Sequence, residues 1–145
     1  MSELSNADPS PVSAVPPRAP IRLARPTRDL AAAERFWLEG VGLEVLWRTD
    51  DPPAGEHRLT MVGAPGAAWH LELVDDPEAA ESAVPGEEDL LVIYLGTHPD
   101  EDWLARIESA GGRRTPARNP YWDRWGTTVL DPDGYRLVLS HRTWG

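Results

Sequence analysis

Trp125-Gly126-Thr127-Thr128-Val129-Leu130-Asp131-Pro132-Asp133-Gly134-Tyr135-Arg136-Leu137-Val138-Leu139 reads as two extended segments joined by a polar turn. Proline presets φ and glycine accepts a positive φ, so Asp131-Pro132-Asp133-Gly134 closes a hairpin. Beyond the turn, Tyr135, Leu137 and Leu139 recur at every second position, the pattern of a strand with one buried face.

Upstream of the hairpin the order of elements repeats. Residues 90–96 form an apolar strand. Residues 97–110 form a helix whose first turn carries Asp100, Glu101 and Asp102, matched to the helix dipole. Its apolar stripe is Trp103, Leu104 and Ile107, and Gly111-Gly112 ends it. Strands follow near 113–116, 127–130 and 135–140. The first half has the same plan: a strand over 21–25 ended by Pro26, a helix over 30–39 capped by Asp29 and stopped by Gly40 and Gly42, then strands over 43–49, 58–63 and 68–74. This is βαβββ twice, an α+β fold of eight strands backed by two helices. Module one spans about 21–75, an acidic linker about 76–89, and module two about 90–143. Residues 1–20 are rich in Pro, Ser and Ala and are expected to form a flexible arm.

Composition narrows the functions. A 145-residue chain with 41% apolar residues can bury one core. The absence of cysteine excludes disulfides, thiolate metal sites and cysteine nucleophiles. No apolar run reaches membrane-spanning length and no secretory signal pattern opens the chain, so a soluble, cytoplasmic protein without a membrane partner is expected. A net charge of −10 argues against nucleic acid as a partner. The acidic run from Asp75 to Asp89 reads as a solvated connector, with an acidic groove for a cationic ligand as the alternative.

Asp29-Leu30-Ala31-Ala32-Ala33-Glu34-Arg35-Phe36-Trp37, followed by Gly40-Val41-Gly42-Leu43, together with the Asp-Pro-Asp-Gly hairpin, resembles the vicinal-oxygen-chelate superfamily. Glyoxalase I, extradiol dioxygenases and bleomycin-resistance proteins belong to it. The resemblance covers about residues 21–143 and implies that the strands curl into a cup with helices on the outer face, a ligand inside, and pairing as a homodimer.

Alternation assigns the faces. Ile21 and Leu23 are expected to face the helix, leaving Arg22 in the cup; His70 and Glu72 share the cup face; so do Leu90, Val92 and Tyr94, and Arg136, Val138 and Ser140. The resemblance then locates four metal-ligand positions. They fall on Arg22, Glu72, a residue at or next to Val92, and Val138. A guanidinium stays protonated and valine has no donor, so no metal and no other cofactor is expected. His70 and Glu72 are the pair from which a new site would start. Arg22 and Glu72, on neighbouring strands in the family fold, are expected to form an internal ion pair in place of the metal; the alternative is that either side chain reaches solvent.

In Asn119-Pro120-Tyr121-Trp122-Asp123-Arg124-Trp125-Gly126, Tyr121 and Trp122 suit a ligand wall; the alternatives are a packed loop closing the cup or a dimer contact. Nucleophile-elbow, phosphate-loop and dinucleotide motifs are absent. The sequence therefore points to metal-independent binding of a small organic molecule, resembling drug-sequestering resistance proteins. Arg22, His70, Glu72, Tyr94, Tyr121, Trp122 and Arg136 are the ligand-contact candidates. The alternative is a metal-free isomerase, lyase or hydrolase using Glu72 or His70 as general base. A metal-dependent glyoxalase or dioxygenase stands third.

Overall fold

The computed structural model describes residues 14–144; most of the arm expected at the N-terminus lies outside them. The duplicated plan is present. Module one runs β1 (Ile21–Thr27), α1 (Leu30–Glu34), a π-helical continuation (Arg35–Val41), β2 (Glu44–Thr49), β3 (Leu59–Gly63) and β4 (Trp69–Asp75). Module two runs β5 (Leu90–Tyr94), α3 (Glu101–Ser109), β6 (Arg113–Thr115), β7 (Gly126–Leu130) and β8 (Arg136–Ser140). Two short helices were not foreseen: α2 (Pro77–Ser82) in the acidic linker and α4 (Pro120–Trp125) in the aromatic cluster. Each is started by a side-chain cap and a following proline, Asp76-Pro77 and Asn119-Pro120.

The strands form two sheets of four, ordered β1-β4-β3-β2 and β5-β8-β7-β6, with the parallel pairs β1/β4 and β5/β8. No ladder joins the sheets among the described residues; β1 and β5 are edge strands of their sheets, and both line one cavity. The hairpin turn forms as expected: Gly134 takes φ +92°, and the Asp131 carboxylate accepts from the backbone N–H groups of Asp133 and Tyr135, both at 2.9 Å.

One core serves both modules. Phe36 and Trp37 from the first helix and Leu104 and Ile107 from α3 pack with Val62, Leu71 and Leu73 of the first sheet and Val129, Leu137 and Leu139 of the second. The helices approach closely at Gly40, where a Cβ would lie 3.0 Å from the Ala110 Cβ. The Gly40 carbonyl also accepts from Trp103 Nε1 at 3.1 Å and Arg106 Nε at 3.2 Å. Each sheet therefore gives one face to this core and turns the other away from it. Alternation assigns the core side correctly for Leu71, Leu73, Leu137 and Leu139.

Candidate functional site

The β1/β4 register sets Arg22 beside His70 and Ala24 beside Glu72, so Arg22, His70 and Glu72 share the face turned away from the core. Arg22 is the hub. Its Nη1 lies 3.2 Å from Glu72 Oε1, its Nε donates to His70 Nε2 at 3.0 Å, and its Nη2 is 3.4 Å from Met61 Sδ.

The ion pair has the expected partners but is not internal. The Arg22 side chain is 49% exposed and that of Glu72 16%. β1 is an edge strand, and water reaches the guanidinium from the open side. Such a pair is worth about 0.2–1 kcal/mol rather than the several expected of a buried one.

The expected metal positions do not form a donor set. The guanidinium occupies the first, and its N–H groups engage the lone pairs of His70 and Glu72. Val92 and Val138 are aligned across β5 and β8 and offer no donor. Among the described residues no three histidine, aspartate or glutamate side chains converge. These residues do not fit a divalent ion.

A cavity of about 460 Å³ opens where β1 and β4 of module one approach β5 of module two. Its walls include Arg22, His70, Val92 and Tyr94, and also Ile21, Leu23, Trp69, Leu71, Leu91 and Ile93. This second group shares the core-side parity. Ile21 and Leu23 were expected under the helix, but they are 64% and 40% exposed. The start of β1 lies beyond the helix cover, and its apolar side chains become cavity wall. Tyr94 is in the wall as well, with its ring 6.1 Å from that of Trp144.

Four expected ligand contacts lie outside the cavity wall: Glu72, which Arg22 holds, and Arg136, Tyr121 and Trp122. Arg136 is not a free cation in the cavity: Nη1 donates to the Pro116 carbonyl at 3.3 Å, Nη2 stands 3.6 Å from Glu87, and only 11% of the side chain is exposed. The Tyr121 hydroxyl accepts from Arg142 Nη1 at 2.8 Å, and its ring packs edge-on against Trp122. Neither Tyr121 nor Trp122 lines the cavity. Both belong to α4, which lies against β7 and β8 and contributes no buried residue.

Sequence reasoning missed Trp47. Across β2 and β3 it pairs with Met61, which pairs with Glu72, so the indole lies on the Arg22 face, 61% exposed. Extending alternation to β2 from Met61 would have found it; a bulge between Val45 and Trp47 interrupts the period.

Burial pushes the Asp131 carboxyl up to about 6, against the two backbone N–H bonds that favour its charge. His141, its ring tilted against that of His98 with centroids 3.9 Å apart, is held below the ordinary histidine range by desolvation and then by His98 and Arg142.

Comparison with known proteins agrees with the architecture. Residues 21–74 match the YycE-like N-terminal domain and residues 88–141 the YycE-like C-terminal domain. The YycE protein of Bacillus subtilis, itself uncharacterized, is 36% identical over 127 residues, covering 85% of this chain and 88% of that protein. Its crystal structure, described as a candidate glyoxalase/fosfomycin-resistance protein, superposes with a TM-score of 0.70 at 34% identity over 88% of this chain and 92% of that one. TnmS3, an antibiotic-binding protein from Streptomyces sp. CB03234, gives 0.54 at 27% identity over 84% and 93%. Glyoxalase I of Leishmania major gives 0.64 at 18% identity over 83% and 84%, a likeness of fold.

Proposed function

We propose that this chain, which belongs to the YycE-like family of the vicinal-oxygen-chelate superfamily, captures a small organic molecule without a metal ion in the cleft between β1 and β5. The cavity carries the reading. Its size of about 460 Å³ suits a drug-sized or metabolite-sized ligand. Its walls are mainly aliphatic and aromatic, with the Arg22 guanidinium and the His70 imidazole as directional contacts. A half-exposed arginine that already turns donors toward Glu72 and His70 is poised to meet a ligand carbonyl or carboxylate. The antibiotic-binding relative supports a binding role on this fold.

Glu72 is the residue on which an enzymatic reading would rest, as a general base beside Arg22. His70 suits that role less, because its Nε2 already accepts from Arg22. We further propose a homodimer: β2 is a sheet edge exposing Val45, Leu46 and Trp47, and two-fold pairing is the commonest way to cover such an edge. Among the described residues no helix is long and apolar enough to cross a membrane.

Native mass spectrometry of freshly purified protein tests the reading. The expected result is an organic adduct with no stoichiometric metal, weakened by Arg22→Gln. About one zinc, nickel, iron or manganese ion per chain, whose chelation abolishes ligand binding, would overturn metal independence. Turnover that is lost in Glu72→Gln while affinity is kept would replace the binder with an enzyme.

A further inference from the structure

The modules share a topology but differ in which faces they leave open. On the first sheet the face away from the core is accessible at Arg22 and Trp47. On the second sheet the equivalent face is closed: Val138 and Ser140 are fully buried and Thr128 is 2% exposed. The register puts these three on one face with Arg136, since Thr128 pairs with Val138, and Gly126 with Ser140.

The cover is the chain's own segment 116–125. Arg136, the first residue of β8, donates to the Pro116 carbonyl at 3.3 Å; Ser140, the last, donates from Oγ to the Trp125 carbonyl at 3.0 Å. The two anchoring side chains flank Val138, which lies between them on the same face of β8. Its helix α4 contributes no buried residue. The segment is also held at the end of β8, where the His141 N–H donates to the Trp125 carbonyl at 2.9 Å and Arg142 Nη1 to the Tyr121 hydroxyl at 2.8 Å; its six-residue helix with no buried residue is the mark of a locally opening unit.

Two features under the strap point to a ligand. The Arg136 guanidinium is met by a carbonyl from the strap and by the linker carboxylate of Glu87, oxygens of the kind an organic anion would bring. Thr128 Oγ1 is buried and has no hydrogen-bond partner among the described residues, a desolvation cost that a ligand oxygen would remove. The covered face also adjoins the cavity, because Val92 of the cavity wall pairs with Val138.

We propose that segment 116–125 is a displaceable strap over an anion-accepting half-site made by Arg136 and Thr128, and that an amphipathic organic anion seated in the cleft enters it when the strap lifts. This rests on the binding function proposed above and extends it to a ligand class. The strap and Glu87 occupy the half-site in the free protein with their own oxygens, and the ligand replaces them. Arg22 and Arg136 then hold opposite sides of one elongated ligand.

The chain has no cysteine, so Val138→Cys provides a single thiol on the covered face while leaving Arg136 and Thr128 in place. Its alkylation by iodoacetamide in the full chain is expected to be insensitive to low urea, as for local opening. It should speed up about two- to fivefold in Glu87→Gln, the scale of one exposed ion pair. Anilinonaphthalene sulfonate, an aromatic anion, should slow it, and Arg136→Gln should abolish that protection. Alkylation that follows global unfolding across urea, or protection indifferent to Arg136→Gln, would overturn the proposal. Ser140→Cys is a second reporter on the same face should Val138→Cys fold poorly. If the anion binds, is weakened by Arg22→Gln, and leaves alkylation unchanged, the cleft reading stands and the strap proposal falls.

Discussion

Replacing Asp131 by asparagine should make the protein more stable at neutral pH and barely change it in acid. Asp131 is buried in the hairpin turn, where one carboxylate oxygen accepts from the N–H groups of Asp133 and Tyr135. Burial outweighs those bonds and raises the carboxyl from 3.8 to about 6, with Asp133 adding repulsion and Arg25 opposing it. A raised carboxyl means the folded state binds more protons than the unfolded one between those values. Stability from this group is therefore greatest below about pH 4 and falls as pH rises to about 6. A shift of roughly two units at about 1.4 kcal/mol each corresponds to about 3 kcal/mol lost by neutral pH. Asparagine keeps the amide oxygen as acceptor for both N–H groups and has no charge to desolvate. Urea unfolding followed by tryptophan fluorescence, run on both proteins from pH 4 to 8, isolates the effect, because the other carboxylates titrate alike in both. The variant should gain about 2–3 kcal/mol relative to the parent between pH 4 and 7.5. A difference that is flat with pH, or a variant that loses ground as pH rises, would show that the Arg25 charge rather than burial governs this carboxyl.

Gly112→Ala should destabilise by about 1–3 kcal/mol in urea melts, because a Cβ there would lie 2.8 Å from Ile107 Cγ2 and 2.9 Å from both Phe36 Cε1 and Val129 Cγ1. Arg22→Gln should change stability by less than about 1 kcal/mol, since the ion pair is half-exposed; a loss of several would mean the pair is closed off from water in solution. Light scattering at tens of micromolar should give twice the monomer mass, and Trp47→Asp should shift it toward monomer; a parent chain already monomeric there would refute the pairing.

The βαβββ duplication was legible in the chain because its signals are local. Pro-Asp-Gly at a turn, glycine after a helix and period-two apolar positions act on neighbouring backbone. The same locality made the Arg22–Glu72 pairing legible once two strands were taken to be adjacent. The two short helices were hidden because their caps stand in segments with no apolar period, one acidic and one aromatic. Parity also names the face of a side chain without saying what covers it. Arg22 and Arg136 have the same parity in equivalent modules, yet one is half-exposed and the other lies under Pro116 and Glu87.

By its own periodicity and turn chemistry, the sequence determined the eight strands, the two main helices, their order and, for β4, β5 and β8, the side that joins the core. At the metal positions that the superfamily resemblance implies, it carries Arg22, Glu72, a residue at or next to Val92, and Val138, which are residue identities. Only the tertiary structure decided which core-side residues stay uncovered, as Ile21 and Leu23 do at the cleft, and which outer face is roofed, as at Val138. Coverage comes from segments far apart in the chain packing against one another, and alternation along a single strand carries no record of that packing.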